Sequence, residues 1–243
     1  MESLKKMFPI IALLSIGLFS NESAYAGSFE NGEKAKRVFI LSDFNAVSVS
    51  SGIDLYLQPS SKTEAEATTS REMLNKLDIS QSGGKVIIKL KKGVYFNSRN
   101  NIRVVLSYRN LNSINASGGS DIFMSNNEIL KSNNLSILGS GGSDFNIKID
   151  VESLDCSLSG GSDGKLSGSA KEATYRISGG SDLLAKELIS NRCEINASGG
   201  SDAYIYATDH LKVVASGASD VYFFGNPKQR NIQASGASDI KSK

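Results

Sequence analysis

Seven aspartates in the second half of the chain share one local sequence, Ser-Gly-Gly/Ala-Ser-Asp: Asp121, Asp144, Asp163, Asp182, Asp202, Asp220 and Asp239. Successive gaps are 23, 19, 19, 20, 18 and 19 residues. Such regular spacing marks one supersecondary unit stacked on copies of itself, so the carboxylates form a column. Carboxylates one strand spacing apart, about 4.8 Å, repel by about 1–3 kcal/mol per neighbouring pair at an effective dielectric constant of about 20–80. Something must offset that. Backbone N–H groups would do so, with Ser and Asp bonding nearby amides to close each turn. Calcium would do so too, as a hard cation that accepts carboxylate, carbonyl and hydroxyl oxygens. The calcium-binding β-roll also combines Gly-Gly with Asp, but its repeat is a nonapeptide with different spacing. Calcium on the ladder is the one cofactor candidate; the sequence calls for no other.

Tyr204, Tyr206 and Tyr222, with Phe224, fall near even positions after neighbouring motifs. They read either as an aromatic strip able to stack on sugar rings or as strand-forming aromatics packed along one face. With the seven aspartates they make up the candidate ligand-binding set. His210 is the only histidine, so a histidine zinc site or a Ser-His-Asp triad has little support. The glycines lack the Gly-Lys-Ser/Thr ending of a phosphate-binding loop. Lys plus Arg number 27 and Asp plus Glu 25, a net charge of +2 without a basic stripe, which speaks against a nucleic-acid partner. A polysaccharide-cleaving enzyme would need one carboxylate pair set apart from the rest. Here the carboxylates are equivalent by repetition, and no catalytic residue is named.

Aligning the copies on the motif Asp shows what must position it. Seven residues before it stand Ile114, Ile137, Cys156, Tyr175, Ile195, Val213 and Ile232. One residue after it stand Ile122, Phe145, Gly164, Leu183, Ala203, Val221 and Ile240. Apolar residues two apart flank the turn on both sides, a strand period and not a helical one. Short period-two strands with about 19 residues per circuit predict a parallel β-helix of three short strands and three corners per coil. The first glycine of each turn (Gly118, Gly141, Gly160, Gly179, Gly199, Gly217 and Gly236) is expected to take positive φ. The second position, Ala218 and Ala237 in the last copies, is expected only to be small so that corners can stack. Cys156 and Cys193 belong to repeats two apart, about 9.6 Å at the strand spacing, too far for a disulfide, so both read as buried thiols.

The first half is β-rich but irregular. Val38 to Leu41 could be a first strand. Ser51-Gly52-Ile53-Asp54 reads as a degenerate first copy of the motif. Glu64 and Glu66 could lie on an edge strand, Ser70 to Leu77 could form a turn or two of helix, and Leu77 to Leu90 reads as a hairpin about Ser82-Gly83-Gly84. Ile102 to Leu106 is a further strand. Residues 1–26 read as a cleaved secretory signal: Lys5 and Lys6, an apolar run from Phe8 to Phe19, then Ala24-Tyr25-Ala26. Residues 27–39 are a polar leader and 40–243 the domain. The expected location is therefore periplasmic or extracellular, and the mature chain carries no transmembrane segment.

Laid out this way, the chain resembles the auto-transporter adhesin head GIN domain family (DUF2807). The resemblance is carried by Phe44 to Leu55, by Ile102 to Leu106 leading into Ile114-Asn115-Ala116-Ser117-Gly118-Gly119-Ser120-Asp121, and by the later copies. It spans about residues 40–243. It implies a secreted or periplasmic right-handed β-helix with no established activity, a non-enzymatic adhesin-like module of the cell envelope. It transfers no catalytic residue. Unlike an auto-transporter the sequence shows no C-terminal membrane barrel, so self-export is not expected. The alternatives are a β-helix carbohydrate-active enzyme and a purely structural envelope module. The expected partners are a glycan or an envelope or surface protein, and the C-terminal coil is expected to self-associate.

Overall fold

The computed structural model describes residues 34–94 and 101–243. The signal sequence and residues 27–33 of the leader lie outside the described residues. From Leu130 to Ala215 each coil is one long strand interrupted only at the Gly-rich turn: Leu130–Ser140, Phe145–Ser159, Gly164–Ile177, Leu183–Ala197 and Asp202–Ala215; the next coil is split into Asp220–Phe224 and Gln229–Ala234. Each pairs in parallel with the next. Ile137 lies opposite Cys156, Cys156 opposite Tyr175, Tyr175 opposite Ile195 and Ile195 opposite Val213. These steps of 19, 19, 20 and 18 residues are the stacked coils that the motif spacing predicts.

The expected three short strands per coil need one refinement. Hydrogen bonds between coils run along the stack, so a bend around its axis does not break them. The corners appear instead where the in–out alternation slips. In Leu183–Ala197, exposed residues fall together at Lys186-Glu187 and again at Asn191-Arg192. Leu183 and Ala185, then Leu188 and Ser190, then Cys193, Ile195 and Ala197 point inward in three sets. The apolar columns read from the alignment are the core. Ile114, Ile137, Cys156, Tyr175, Ile195 and Val213 are all buried. Ile232, in the last described coil, holds the same column yet is 42% exposed. Cys156 and Cys193 are free and buried. Burial lifts both thiols to about 12, so they stay unreactive at neutral pH.

The irregular half is threaded through the same stack. Ala46–Val49 and Ile53–Pro59 lie on Ser113–Ser117 and Ile122–Met124, with Val47 opposite Ile114 and Leu55 opposite Ile122. The degenerate copy thus sits one coil from the first full copy. On its other side it pairs, still in parallel, with Lys85–Leu90 and Ile102–Tyr108. Beyond these the pairing turns antiparallel. Leu77–Ser82 covers Lys85–Leu90, Glu64–Ser70 covers Ile102–Tyr108, and Lys34–Ile40 lies outermost on Glu64–Ser70. The helix Arg71–Lys76 starts at Ser70, whose hydroxyl accepts the Met73 N–H at 3.3 Å, and buries Met73 and Leu74. Antiparallel strands and a helix cannot template another parallel coil, so they close this end of the stack.

Two expectations are corrected here. The Glu64 strand is interior, and the edge belongs to the second half of the leader. That strand starts at Lys34 rather than Val38, because its polar side chains face outward and Lys36 pairs with Glu66 at 2.7 Å.

Candidate functional site

The motif builds two columns one residue apart. Ser120, Ser143, Ser162, Ser181, Ser201 and Ser219 are fully buried, while the aspartates beside them face outward. The expectation that Ser and Asp close their own turns holds only in part, because most of these bonds run between coils. The N–H groups of Asp144, Asp163, Asp182 and Asp202 donate to Oδ1 of the aspartate one coil earlier, at 3.2, 3.2, 3.0 and 3.3 Å. Asp239 donates to Asp220 in the same way at 3.2 Å. Each of these contacts sets a backbone dipole against a carboxylate and offsets repulsion along the column. The Ser column runs the other way: the N–H groups of Ser120, Ser143 and Ser162 donate to Oγ of the next serine, each at 3.1 Å. Ser201 and Ser219 add a bond of their own, donating Oγ to the carbonyls of Ser198 and Ser216 within their own turns at 2.9 and 3.0 Å, while the Ser219 N–H still donates to Ser238 Oγ at 3.3 Å.

That change follows the backbone. Both glycines have positive φ at Gly118-Gly119, Gly141-Gly142 and Gly160-Gly161, the signature of a type I′ turn. At Gly179, Gly199, Gly217 and Gly236 only the first does, as in a type II′ turn. The peptide between the two central residues flips between these forms. In the early set Gly119 N–H donates forward to the Gly141 carbonyl at 3.0 Å. In the late set the N–H groups of Gly200, Ala218 and Ala237 donate backward to Gly179, Gly199 and Gly217, at 2.8, 2.7 and 2.7 Å. Ala218 and Ala237 disfavour positive φ, so they hold the late form, and the stacking bonds carry it back to the Gly-Gly turns beneath them.

The reading of the second position as merely small is therefore corrected. A Cβ there meets nothing within 4 Å at Gly119, Gly142, Gly161 and Gly180. In the early turns φ is what demands glycine. The first position is the crowded one: at Gly199 a Cβ would lie 2.7 Å from the Gly179 carbonyl oxygen.

Beside the ladder runs a groove of about 400 Å³. Asp121, Asp144, Asp163, Asp182 and Asp202 form one wall. The other is the outward column two residues further on: Phe123, Asn146, Lys165, Leu184 and Tyr204. The sequence reading singled out Tyr204 and missed the other four, although the same alignment holds them in one column. Tyr204 stacks on Tyr222 with ring centres 4.8 Å apart. Tyr206 belongs to the next column, opposite Phe224, and does not line the groove. His210 lies on a different face with Arg192, Lys212 and Arg230.

The ladder runs on from Asp121 to Asp54 and ends at Arg103, which lies opposite Asp54. Burial raises the Asp54 carboxyl, against the lowering effects of Asn101 and Arg103. Burial also raises Asp121; the Asp144 N–H lowers it, and the charges of Asp144 and Asp54 raise it further. Among the described residues no group of three or more His, Cys, Asp or Glu side chains is placed to hold a metal ion.

Residues 43–227 match the family described as "Putative auto-transporter adhesin, head GIN domain". The chain belongs to this family. No curated protein matches it. Among solved structures, a "putative adhesin" from Bacteroides fragilis NCTC 9343 aligns with TM-score 0.82 at 20% identity, covering 88% of this chain and 98% of that one. A "putative adhesin" from Parabacteroides merdae ATCC 43184 aligns at 0.67 and 21% identity, covering 88% and 97%. A "Putative lipid binding protein" from Parabacteroides distasonis ATCC 8503 aligns at 0.65 and 21% identity, covering 87% and 98%. At these identities the shared property is the fold. Among the described residues no helix is long and apolar enough to cross a membrane.

Proposed function

We propose that this GIN-domain chain is an exported, non-enzymatic binding module that attaches to a cell-envelope or surface component through the side-chain faces of its stack. The groove beside the ladder is the observation that carries this reading. It is built from equivalent positions in successive coils, as an extended contact surface is, and not from one singular cluster. Five ladder carboxylates accept a backbone N–H from the next coil, so most of the column shares one environment. The adhesin names of the family and of two structural neighbours support the same reading.

The test is adsorption of the exported chain to isolated envelope fractions and to intact cells. Saturable adsorption with no release of reducing sugar over time is expected. Absence of saturable adsorption would sink the proposal. Steady release of reducing ends, lost in Asp54→Asn and Asp121→Asn, would favour an enzyme, because these two ladder carboxyls are the ones burial raises.

A further inference from the structure

The groove has two ends of the same make. At one, Tyr56 and Phe123 stack with ring centres 5.0 Å apart, and the Arg103 guanidinium lies 3.7 Å from the centre of the Tyr56 ring. At the other, Tyr204 and Tyr222 stack, and the Lys243 ammonium lies 4.9 Å from the Tyr222 ring centre. In each pair the inner ring, Phe123 or Tyr204, is the one that lines the groove. Four coil spacings separate these rings, roughly 19 Å. Between them the outward column carries Asn146, Lys165 and Leu184, with Leu184 46% exposed. On the facing wall Oδ1 of Asp121, Asp144, Asp163 and Asp182 is held by backbone N–H groups, which leaves Oδ2 to accept from outside.

We propose that this groove binds a short stretch of an extended glycan whose sugars are neutral or carry amino groups. The proposal rests on the binding-module reading and names its ligand class. A pyranose ring has apolar C–H faces and hydroxyl-lined edges. The faces suit Leu184, Phe123 and Tyr204. The edges supply O–H donors to a column of charged acceptors, and a protonated amino group strengthens that contact. Five carboxylates against one lysine, Lys165, leave the lining at a net charge of −4 (1 − 5), which repels uronic-acid and sulfated chains. An extended peptide fits less well. Strand addition needs unpaired backbone groups, and this wall is a sheet face whose backbone is already paired between coils. The length between the aromatic ends suits an oligosaccharide better than a single sugar.

Calorimetry on the exported chain, using a chitosan tetramer, cellotetraose and tetragalacturonate as probes, tests this. The expected order is chitosan tetramer tighter than cellotetraose, with tetragalacturonate not bound. Tyr204→Ala and Phe123→Ala should each weaken binding by about tenfold, the worth of one aromatic contact. Asp163→Asn should weaken the chitosan tetramer more than cellotetraose. Asn133→Ala, which lines a separate polar groove, should change nothing. Unchanged melting temperatures would show that the variants still fold. Failure of both the amino and neutral tetramers to bind, equal affinity for tetragalacturonate, or binding insensitive to both aromatic substitutions would each overturn the groove. So would a basic peptide that binds there in their place. Envelope adsorption that persists while both tetramers fail would overturn the glycan groove alone. Loss of envelope adsorption would overturn the wider reading.

Discussion

The first three full turns of the ladder and the last four have nearly the same sequence and opposite backbones. Ser159-Gly160-Gly161-Ser162 and Ser178-Gly179-Gly180-Ser181 are identical in type, yet φ of the second glycine is positive in one and not in the other. In the early set the turn amide bonds forward and the buried serine accepts between coils. In the late set the amide bonds backward and Ser201 and Ser219 gain bonds within their own turns, while Ser181 and Ser238 still accept from the coil before. A turn in a solenoid is thus chosen by its neighbours as well as by its own residues. Ala218 and Ala237 hold one form at one end. At the other, Ser51 and Gly52 both have positive φ, and Gly52 N–H bonds forward to the Gly118 carbonyl at 3.0 Å.

The largest difference between the two sets lies at the first glycine. Gly199→Ala combines positive φ with a Cβ 2.7 Å from a backbone oxygen, and a loss of about 3 kcal/mol is expected. Gly118→Ala meets no atom nearer than 3.6 Å and should lose only the strain of its φ, about 1–2 kcal/mol. Urea unfolding of the two variants measures the gap, and equal losses would break the comparison. Next comes the serine column. Ser162→Ala strands the buried Ser143 N–H and should lose about 1–3 kcal/mol. Ser201→Ala removes a hydroxyl that bonds its own turn and should lose about 1 kcal/mol, read in the same unfolding experiment.

Smaller effects fall on the ladder itself. Ser51→Gly relieves the positive φ of a non-glycine residue and should raise stability by about 0.5–1 kcal/mol. Asp121→Asn keeps an acceptor for the Asp144 N–H and removes an awkward charge. Because burial raises the Asp121 carboxyl when folded, its ionised form weakens the fold at neutral pH. The variant should melt slightly higher at pH 7. That advantage should fade as pH falls through the raised value and vanish below the ordinary carboxylate range. Calcium against chelator should leave the melting temperature unchanged, since backbone amides already face the column; an upward shift with calcium would show that the ladder holds a cation.

Much of this was legible in the chain. The 19-residue spacing of the motif aspartates and the period-two apolar columns through Ile137, Cys156 and Tyr175 carry the stacked coils and their core. The hairpin about Gly83-Gly84 and the strand from Ile102 follow from local turn and strand chemistry. The rest depends on what a single repeat cannot show. The two turn forms arise from bonds between coils, so identical Ser-Gly-Gly-Ser segments diverge. The interior place of the Glu64 strand depends on the leader folding over it. The groove lining was half visible: the ladder aspartates and Tyr204 stood out, while Asn146, Lys165 and Leu184 share no residue type and are united only by register.

The most direct test of the two-turn account is one pair of substitutions at the second position of the motif, Gly142→Ala and Gly200→Ala. Both add a methyl group to an exposed turn, and neither added Cβ has an atom nearer than 3.9 Å. Only Gly142 has positive φ, +75°. In urea unfolding, Gly142→Ala should lose about 1–2 kcal/mol. Gly200→Ala should lose nothing, or gain up to about 1 kcal/mol from a less flexible unfolded chain. Equal effects at the two sites would contradict the claim that the ladder changes turn along its length.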